Sequence, residues 1–239
     1  MLKDGERLDD LEYKGLEIIQ RSDGYCFTSD SVLVANLVNV KHTDKVVDIG
    51  TGSGIIAILI AAKFLPKKVI GVEIQERLAE MAARSVIHNN LSDVIEIVNA
   101  PAQGVEKIIG DGYDVVVTNP PYDENCKKEN ATEKEICKSE VRLTVAECIK
   151  TAAKLLKFGG LFYMVNKARR LTDVIYSMRN CGIEPKKIYF IQPKKDKDAD
   201  TFIVEGKKGG KPSVIIPKPI VVYEDDGEFT EFARRIYNK

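Results

Sequence analysis

The chain has 239 residues, of which 44% are hydrophobic, which is enough for one large α/β domain with small appendages and excludes a disordered or fibrous protein. Its 36 basic and 36 acidic residues cancel, so no overall charge indicates a nucleic-acid or membrane partner, and any site for a polyanion must be local. Two histidines argue against a histidine-rich metal site, and five cysteines without a CxxC pair are typical of reduced thiols in a cytoplasm. No apolar run is long enough to span a membrane, and residues 1–7 lack the apolar core of an export signal.

Residues 1–44 form the first predicted segment, a small hairpin followed by a helix. Alternating, turn-like stretches at 8–11 and 16–20 predict the hairpin. Helical periodicity from Ser29 to about residue 38 predicts the helix, and Ser29 or Asp30 would serve as its N-cap.

From Lys45 onward, apolar strands alternate with helices, which predicts right-handed βαβ units and an α/β, doubly wound, mostly parallel sheet. The predicted strands lie at 45–49, 68–73, 94–98, 113–118, 160–166, 185–191 and 200–205. The predicted helices lie near 54–63, 75–89, 140–156 and 168–180. We assign residues 45–206 to this core and 207–239 to a C-terminal extension, in which periodicity between Gly227 and Tyr237 predicts a docking helix.

A glycine-rich turn, Asp-Ile-Gly-Thr-Gly-Ser-Gly at 48–54, follows the first strand of the core. Gly50, Gly52 and Gly54 alternate, so a ligand could approach the main chain without side chains in the way. Ile55 occupies the position that would complete a dinucleotide fingerprint, which disfavours NAD. Many strand-to-helix corners use glycine for packing only, so this turn alone does not decide between a cofactor and a packing role.

Two acidic side chains accompany this turn. Glu73 ends the next strand, where a carboxylate can accept hydrogen bonds from two ribose hydroxyls. Asp48 precedes the glycines and is a second candidate anchor, near the amino-acid end of a nucleoside ligand. The pair therefore predicts a site for a ligand that contains a nucleoside.

The tetrapeptide Asn119-Pro120-Pro121-Tyr122 follows the buried strand predicted at 113–118. Elsewhere such a sequence is a rigid surface turn, but open α/β sheets bind their ligands at the carboxyl ends of parallel strands. Here the Asn119 side-chain oxygen and the Pro120 carbonyl could accept hydrogen bonds from both N–H groups of a planar amine, which would aim its lone pair at a methyl donor. Pro121 would fix that carbonyl, and the Tyr122 ring could stack on a flat acceptor.

Asp48, the three glycines, Glu73 and the tetrapeptide stand in the order found in S-adenosylmethionine-dependent methyltransferases, which the chain resembles from about residue 25 to 205. The resemblance implies S-adenosyl-L-methionine as cofactor, with Ile74 and Asn119 also in contact with it, and a seven-stranded sheet whose last strand is antiparallel. Family members commonly have an acidic residue after the third strand, whereas this chain has Asn99-Ala-Pro-Ala. Recognition of adenine is therefore assigned to Asn99, Gln103 or main-chain groups.

The acceptor is not decided by the tetrapeptide, which occurs both in enzymes that methylate adenine N6 and in enzymes that methylate a glutamine amide of release factors. Residues 27–35, 48–57 and 71–79 resemble the bacterial tRNA1(Val) adenine-37 N6-methyltransferase group, which implies tRNA as the partner. By this resemblance Phe27, Thr28 and Asp30 would line the entrance to the site, although they could simply begin a helix. The release-factor enzymes usually have a long N-terminal helical bundle, for which residues 1–44 are too few.

Local charge gives modest support for RNA. Eight lysines and four acidic residues lie between Lys186 and Lys211, and Lys167, Arg169 and Arg170 follow the fifth core strand. If these cations converge, they could neutralise several phosphates. The alternatives that stay open are a protein N5-glutamine methyltransferase, a methyltransferase for small molecules, and a noncatalytic module that binds an adenosyl nucleotide.

Overall fold

The computed structural model describes residues 2–21, 29–120 and 143–237. At the amino end, strands β1 (Glu6–Asp10) and β2 (Glu17–Arg21) form an antiparallel hairpin, as predicted. The hairpin is fastened to the rest of the chain by polar contacts: the Ser85 hydroxyl accepts the Ile19 N–H at 3.0 Å, and the Arg84 guanidinium donates to both carboxylate oxygens of Glu6 at 2.6 and 2.8 Å.

Eight strands form the main sheet. In chain order the strands are β3 (Lys45–Ile49), β4 (Lys68–Glu73), β5 (Ile95–Asn99), β6 (Tyr113–Thr118), β7 (Leu156–Lys167), β8 (Ile183–Gln192), β9 (Thr201–Lys208) and β10 (Ile220–Val221). Their order across the sheet is β10-β8-β9-β7-β6-β3-β4-β5. Only β9 is antiparallel to its neighbours, β7 and β8. The predicted fold is confirmed, and the short edge strand β10 is an addition to it.

Helices cover both faces of the sheet. They are α1 (Ser29–Leu37), α2 (Ile55–Phe64), α3 (Glu76–His88), α4 (Glu106–Ile109), α5 (Val145–Leu155), a 3-10 turn (Ala168–Arg170), α6 (Leu171–Asn180) and α7 (Glu231–Tyr237). The helix α5 begins at a capping box, in which Thr144 and Glu147 exchange side-chain and backbone hydrogen bonds. The single turn α4 is too short to produce a helical period, which is why the sequence did not predict it.

The strand β6 shows why the central strands are largely apolar. Val115 and Val117 pack into one hydrophobic cluster, together with residues of α1, α2 and α7. Val116 packs into a second cluster, together with residues of α5 and α6. Because successive side chains of a strand point to opposite faces, a strand covered on both sides needs apolar side chains along most of its length, and the polar Asp114 and Thr118 lie near the two ends of β6.

The carboxyl ends of β3, β4, β5, β6 and β7 lie along one edge of the sheet. In the register Ile49 pairs with Thr118, Thr118 with Met164, and Glu73 with Asn99. This edge, which we call the site edge, is where the polar residues predicted from the sequence are found. Within the described ranges, no helix is long and apolar enough to cross a membrane.

Candidate active site

The glycine turn leaves β3 in a left-handed conformation that side chains disfavour. Gly50, Gly52 and Gly54 have φ angles of 73°, 58° and 95°. A Cβ atom at Gly50 would meet no heavy atom within 4 Å, so that position leaves open space beside the main chain. A Cβ at Gly54 would lie 3.3 Å from the Cβ of Ala82, so Gly54 also permits the close packing of α2 on α3. The packing role is therefore present at Gly54, and the open space at Gly50 is compatible with the cofactor role, which stays a prediction.

The Glu73 carboxylate connects this turn to the loop after β4. Its Oε2 accepts the Gly52 N–H at 2.9 Å, and its Oε1 accepts the Gln75 N–H at 2.9 Å. The residue is only 5% exposed. Two backbone amides thus hold the carboxylate in one orientation at the site edge.

Asp48 is buried at the beginning of the turn. The Thr51 hydroxyl donates to its Oδ2 at 2.6 Å, whereas its Oδ1 has no hydrogen-bond partner among the described residues. The pKa of the Asp48 carboxyl is raised from 3.8 to about 7, chiefly by burial and also by the negative charge of Glu73, while the hydrogen bond from Thr51 opposes the rise. A buried acceptor without a well-aligned donor is costly, and the Ala57 main-chain N–H, which lowers the pKa of this carboxyl, offsets part of that cost.

The end of β5 supports the loop after β4. The Asn99 side-chain amide donates to the main-chain oxygens of Glu73 and Ile74, at 2.9 and 3.2 Å. The Ala100 N–H also donates to the Glu73 oxygen, at 3.0 Å. Asn99 therefore uses its donor group to fix the β4–α3 corner, a role that the sequence did not indicate. A crevice beside this corner is lined by Gly50, Glu73, Ile74, Ala102 and Gln103, among others.

Asn119 lies directly after β6 at the same edge. Its side-chain amide donates to the Ser31 hydroxyl in the first turn of α1, at 2.9 Å. The preceding Thr118 donates its hydroxyl to the main-chain oxygen of Ile49 at 2.9 Å, which fastens the end of β6 to the end of β3. Pro120, which follows Asn119, is buried. The amide and the glycine turn are thus attached to neighbouring strands.

The structure brings most of the predicted site residues to the site edge. These are Asp48, Gly50, Gly52, Gly54, Glu73, Ile74, Asn99 and Asn119 with Pro120. Asp30 lies beside Ser31 in the first turn of α1. Phe27, Thr28, Pro121 and Tyr122 lie outside the described residues, so their predicted roles stay predictions. The sequence analysis missed Thr51 and Ser31; only Thr51, three residues after Asp48, had a local signal.

The lysines between 186 and 211 do not form a single patch. At the site edge Thr201 of β9 pairs with Lys167, whereas Lys208 at the other end of β9 pairs with Ile183, the first residue of β8. Because β9 is antiparallel, it places Lys207 and Lys208 at the opposite edge of the sheet, and only the loop between β8 and β9 holds its lysines near the site edge. The net charge of that run therefore gives no support for one RNA-binding surface.

A family model described as methyltransferase small domain matches residues 27–179. The chain belongs to this family. A relative from Trichodesmium erythraeum (strain IMS101), named tRNA1(Val) (adenine(37)-N6)-methyltransferase, is 30% identical over 167 residues, which cover 66% of this chain and 70% of the relative. A relative of the same name from Pedobacter heparinus is 23% identical over 202 residues, which cover 84% of this chain and 85% of the relative.

A solved structure, a predicted O-methyltransferase from Agrobacterium tumefaciens, superposes with a TM-score of 0.72 at 21% identity and covers 87% of this chain and 95% of that chain. This likeness supports the fold. The prediction of a methyltransferase, and the resemblance to the tRNA1(Val) adenine-37 group, are confirmed by the family and by the relatives. In the described ranges, no group of three or more His, Cys, Asp or Glu residues could hold a metal ion.

Proposed function

We propose that the chain transfers a methyl group from S-adenosyl-L-methionine to the exocyclic N6 of an adenine in RNA, and that the acceptor is an unpaired adenine in a tRNA anticodon loop. The observation that carries the proposal is the position of Asn119, whose amide is oriented by Ser31 at the same edge as the glycine turn. The names of the relatives support the choice of tRNA. The proposal includes a cytoplasmic location, where tRNA is available.

The site fits the cofactor at four points. The partnerless Oδ1 of Asp48 can accept a hydrogen bond from the ammonium of the amino-acid end. The Glu73 carboxylate can accept the two ribose hydroxyls, and the small crevice beside Ile74 marks the place against which one edge of the adenine would lie. Gly50 leaves the main chain open to close approach. When bound, S-adenosyl-L-methionine supplies an electrophilic methyl carbon on a sulfonium.

The protein must orient an amine that is a poor nucleophile. The lone pair of an adenine amine is delocalised into the ring, so it attacks carbon weakly. The Asn119 oxygen and the Pro120 carbonyl accept hydrogen bonds from the two N–H groups. They hold the amine in the orientation in which its lone pair points at the methyl donor. No strong base is required, because the proton becomes acidic only after the nitrogen gains positive charge. An unpaired loop base costs little to turn outward into such a site.

The experiment is a methylation assay with separate acceptors. The purified protein and labelled S-adenosyl-L-methionine are incubated with total tRNA, with release-factor protein or with DNA, and the products are digested and identified. We expect labelled N6-methyladenosine from tRNA and no label with the Asn119→Ala variant. Labelled N5-methylglutamine, or cofactor binding without transfer to any acceptor, would contradict the proposal, because a glutamine amide offers the same two N–H bonds to Asn119 and Pro120.

A further inference from the structure

A second cavity, of about 260 Å³, lies between the end of β1, the start of α1 and the C-terminal segment. One wall consists of three aromatic rings: the Tyr223 and Phe229 centroids are 5.0 Å apart, and the Phe229 and Tyr237 centroids are 5.4 Å apart. Pockets for drug-sized ligands hold about 300–1,000 Å³, so this cavity suits one smaller group. A row of rings favours a ligand that is flat, because stacking needs a planar partner.

Two acidic residues, Asp10 and Glu12, also line the cavity. The Asp10 Oδ1 accepts the Glu12 N–H at 2.7 Å, which fixes the turn that holds both side chains. Carboxylates accept hydrogen bonds from the exocyclic amine of a base, whereas they repel phosphate. The lining therefore suits the base of a nucleotide and not its backbone.

The first turn of α1 lies between the cavity and Asn119. Ser29 lines the cavity, and Ser31, two residues further along α1, accepts the hydrogen bond from Asn119. Tyr237 at the end of α7 is hydrogen-bonded to Ser29, and burial raises the pKa of its hydroxyl. The C-terminal segment is thus joined to the same turn of α1 that orients the catalytic amide.

We propose that this cavity binds an unpaired nucleobase with an exocyclic amine, which flanks the acceptor adenine in the RNA. The inference rests on the proposed function, since it needs an RNA chain whose acceptor base lies at Asn119. The rings stack on the flanking base, and the carboxylates of Asp10 and Glu12 accept its amine. An anticodon loop supplies such a base, because its nucleotides are unpaired on both sides of the acceptor. The C-terminal segment therefore contributes to the choice of RNA sequence.

The experiment measures kcat/KM with RNA stem-loops in which one nucleotide beside the acceptor is natural, abasic or uridine. With the wild type, we expect the abasic change on one side of the acceptor to lower kcat/KM about tenfold. Phe229→Ala should cause a similar loss with the natural RNA and almost no further loss with the abasic RNA. Uridine lacks an exocyclic amine. The RNA with uridine beside the acceptor should therefore have a lower kcat/KM than the natural RNA with the wild type, and the same kcat/KM as the natural RNA with Glu12→Gln.

Two further variants serve as controls for effects on folding. Tyr223→Ala, at a ring that is 38% exposed, should reproduce the Phe229→Ala result without a change in melting temperature. Phe158→Ala removes a ring that is 80% exposed at the start of β7, far from the site edge, and should leave kcat/KM unchanged. If the losses in kcat/KM caused by Phe229→Ala and by the abasic nucleotide multiply when the two are combined, the inference is overturned. It is also overturned if spermidine competes with the RNA and Phe229→Ala abolishes that competition, because the cavity would then be a polyamine site.

The binding of the same fluorescent stem-loops separates this inference from the proposed function. Methylation of RNA with equal affinity for the natural and abasic loops overturns the inference and leaves the proposed function intact. Weaker binding of the abasic loop by the wild type but not by Phe229→Ala, without methylation of any RNA, supports the cavity and refutes the proposed function.

Discussion

The side-chain amide of Asn119 donates to the Ser31 hydroxyl at 2.9 Å, although the two residues are 88 positions apart in the chain. The contact joins the end of β6 to the first turn of α1. An amide whose nitrogen donates to Ser31 has its oxygen as the accepting atom, which is the atom that the proposed mechanism needs. Ser31 is therefore a positioning residue for the transfer step.

Replacing Ser31 with Ala removes the acceptor that orients this amide. We expect the single-turnover rate of methyl transfer to fall about tenfold, the equivalent of one lost hydrogen bond, while the Kd for S-adenosylhomocysteine stays unchanged. Ser92→Ala, at an exposed position before β5, is the matched control and should have the wild-type rate. A reduced cofactor affinity with an unchanged rate would assign Ser31 to the cofactor site instead.

Asn119→Ala removes the accepting oxygen itself. The rate of transfer should fall by about 10²–10³, because a preorganised polar contact at the reacting group is lost, and cofactor affinity should be retained. Rapid-quench measurements with labelled cofactor and saturating RNA test this. Asn180→Ala, at the exposed end of α6, is the control. An unchanged single-turnover rate would show that Asn119 takes no part in the transfer.

The sequence predicted the central elements well because their signals are local. Apolar strands, the glycine turn and Glu73 at a strand end are each recognisable within a few residues. Ser31 was missed because its contact with Asn119 depends on how α1 packs against β6, which no local pattern contains. Whether the lysines between 186 and 211 converge could not be read from the sequence for a similar reason: only the antiparallel direction of β9 shows that Lys208 lies away from the site edge.

The role of Asn99 depended on the same kind of information. The sequence placed it near the adenine of the cofactor because it follows the third core strand. Its amide nitrogen donates to two main-chain oxygens of the corner after β4, including that of Glu73, while its contact with adenine stays a prediction. A polar side chain at a strand end can serve a ligand or the backbone, and only the positions of the neighbouring carbonyl groups distinguish these roles.

Glu73 should be required for both the cofactor and the glycine turn. Glu73→Gln keeps the size of the side chain but leaves one oxygen to accept two backbone N–H groups, those of Gly52 and Gln75. We expect the affinity for S-adenosylhomocysteine to fall more than about tenfold, with a lower melting temperature. Calorimetry measures the affinity. Glu96→Gln, which changes an exposed carboxylate on β5 that pairs with Lys68, should affect neither quantity by a comparable amount.

Asp48 should give cofactor binding a pH dependence near neutrality. Its pKa is raised from 3.8 to about 7 in the folded protein, so the carboxyl is largely protonated at pH 6 and largely ionised at pH 8. A ligand ammonium favours the ionised form. The affinity for S-adenosylhomocysteine should therefore rise by up to about tenfold from pH 6 to pH 8 and then level off. In Asp48→Asn the affinity should be lower and should lack this rise, whereas Asp93→Asn, at an exposed position, should retain it.

The same group determines how stability should change with pH in the absence of ligand. Because the folded pKa lies above the unfolded value, the folded state binds more protons between pH 3.8 and about 7, and the Asp48 carboxyl costs stability increasingly as the pH rises through that window. The cost is absent below the unfolded pKa and complete above the folded one, with a magnitude of about 4 kcal/mol at most. Asp48→Asn, which keeps a side-chain oxygen for the Thr51 hydroxyl, should therefore gain in urea-unfolding free energy relative to the wild type as the pH increases from 4 to 8. A difference that is constant over this range would show that Asp48 is already ionised in the folded protein at low pH, and the predicted rise in cofactor affinity would then be absent as well.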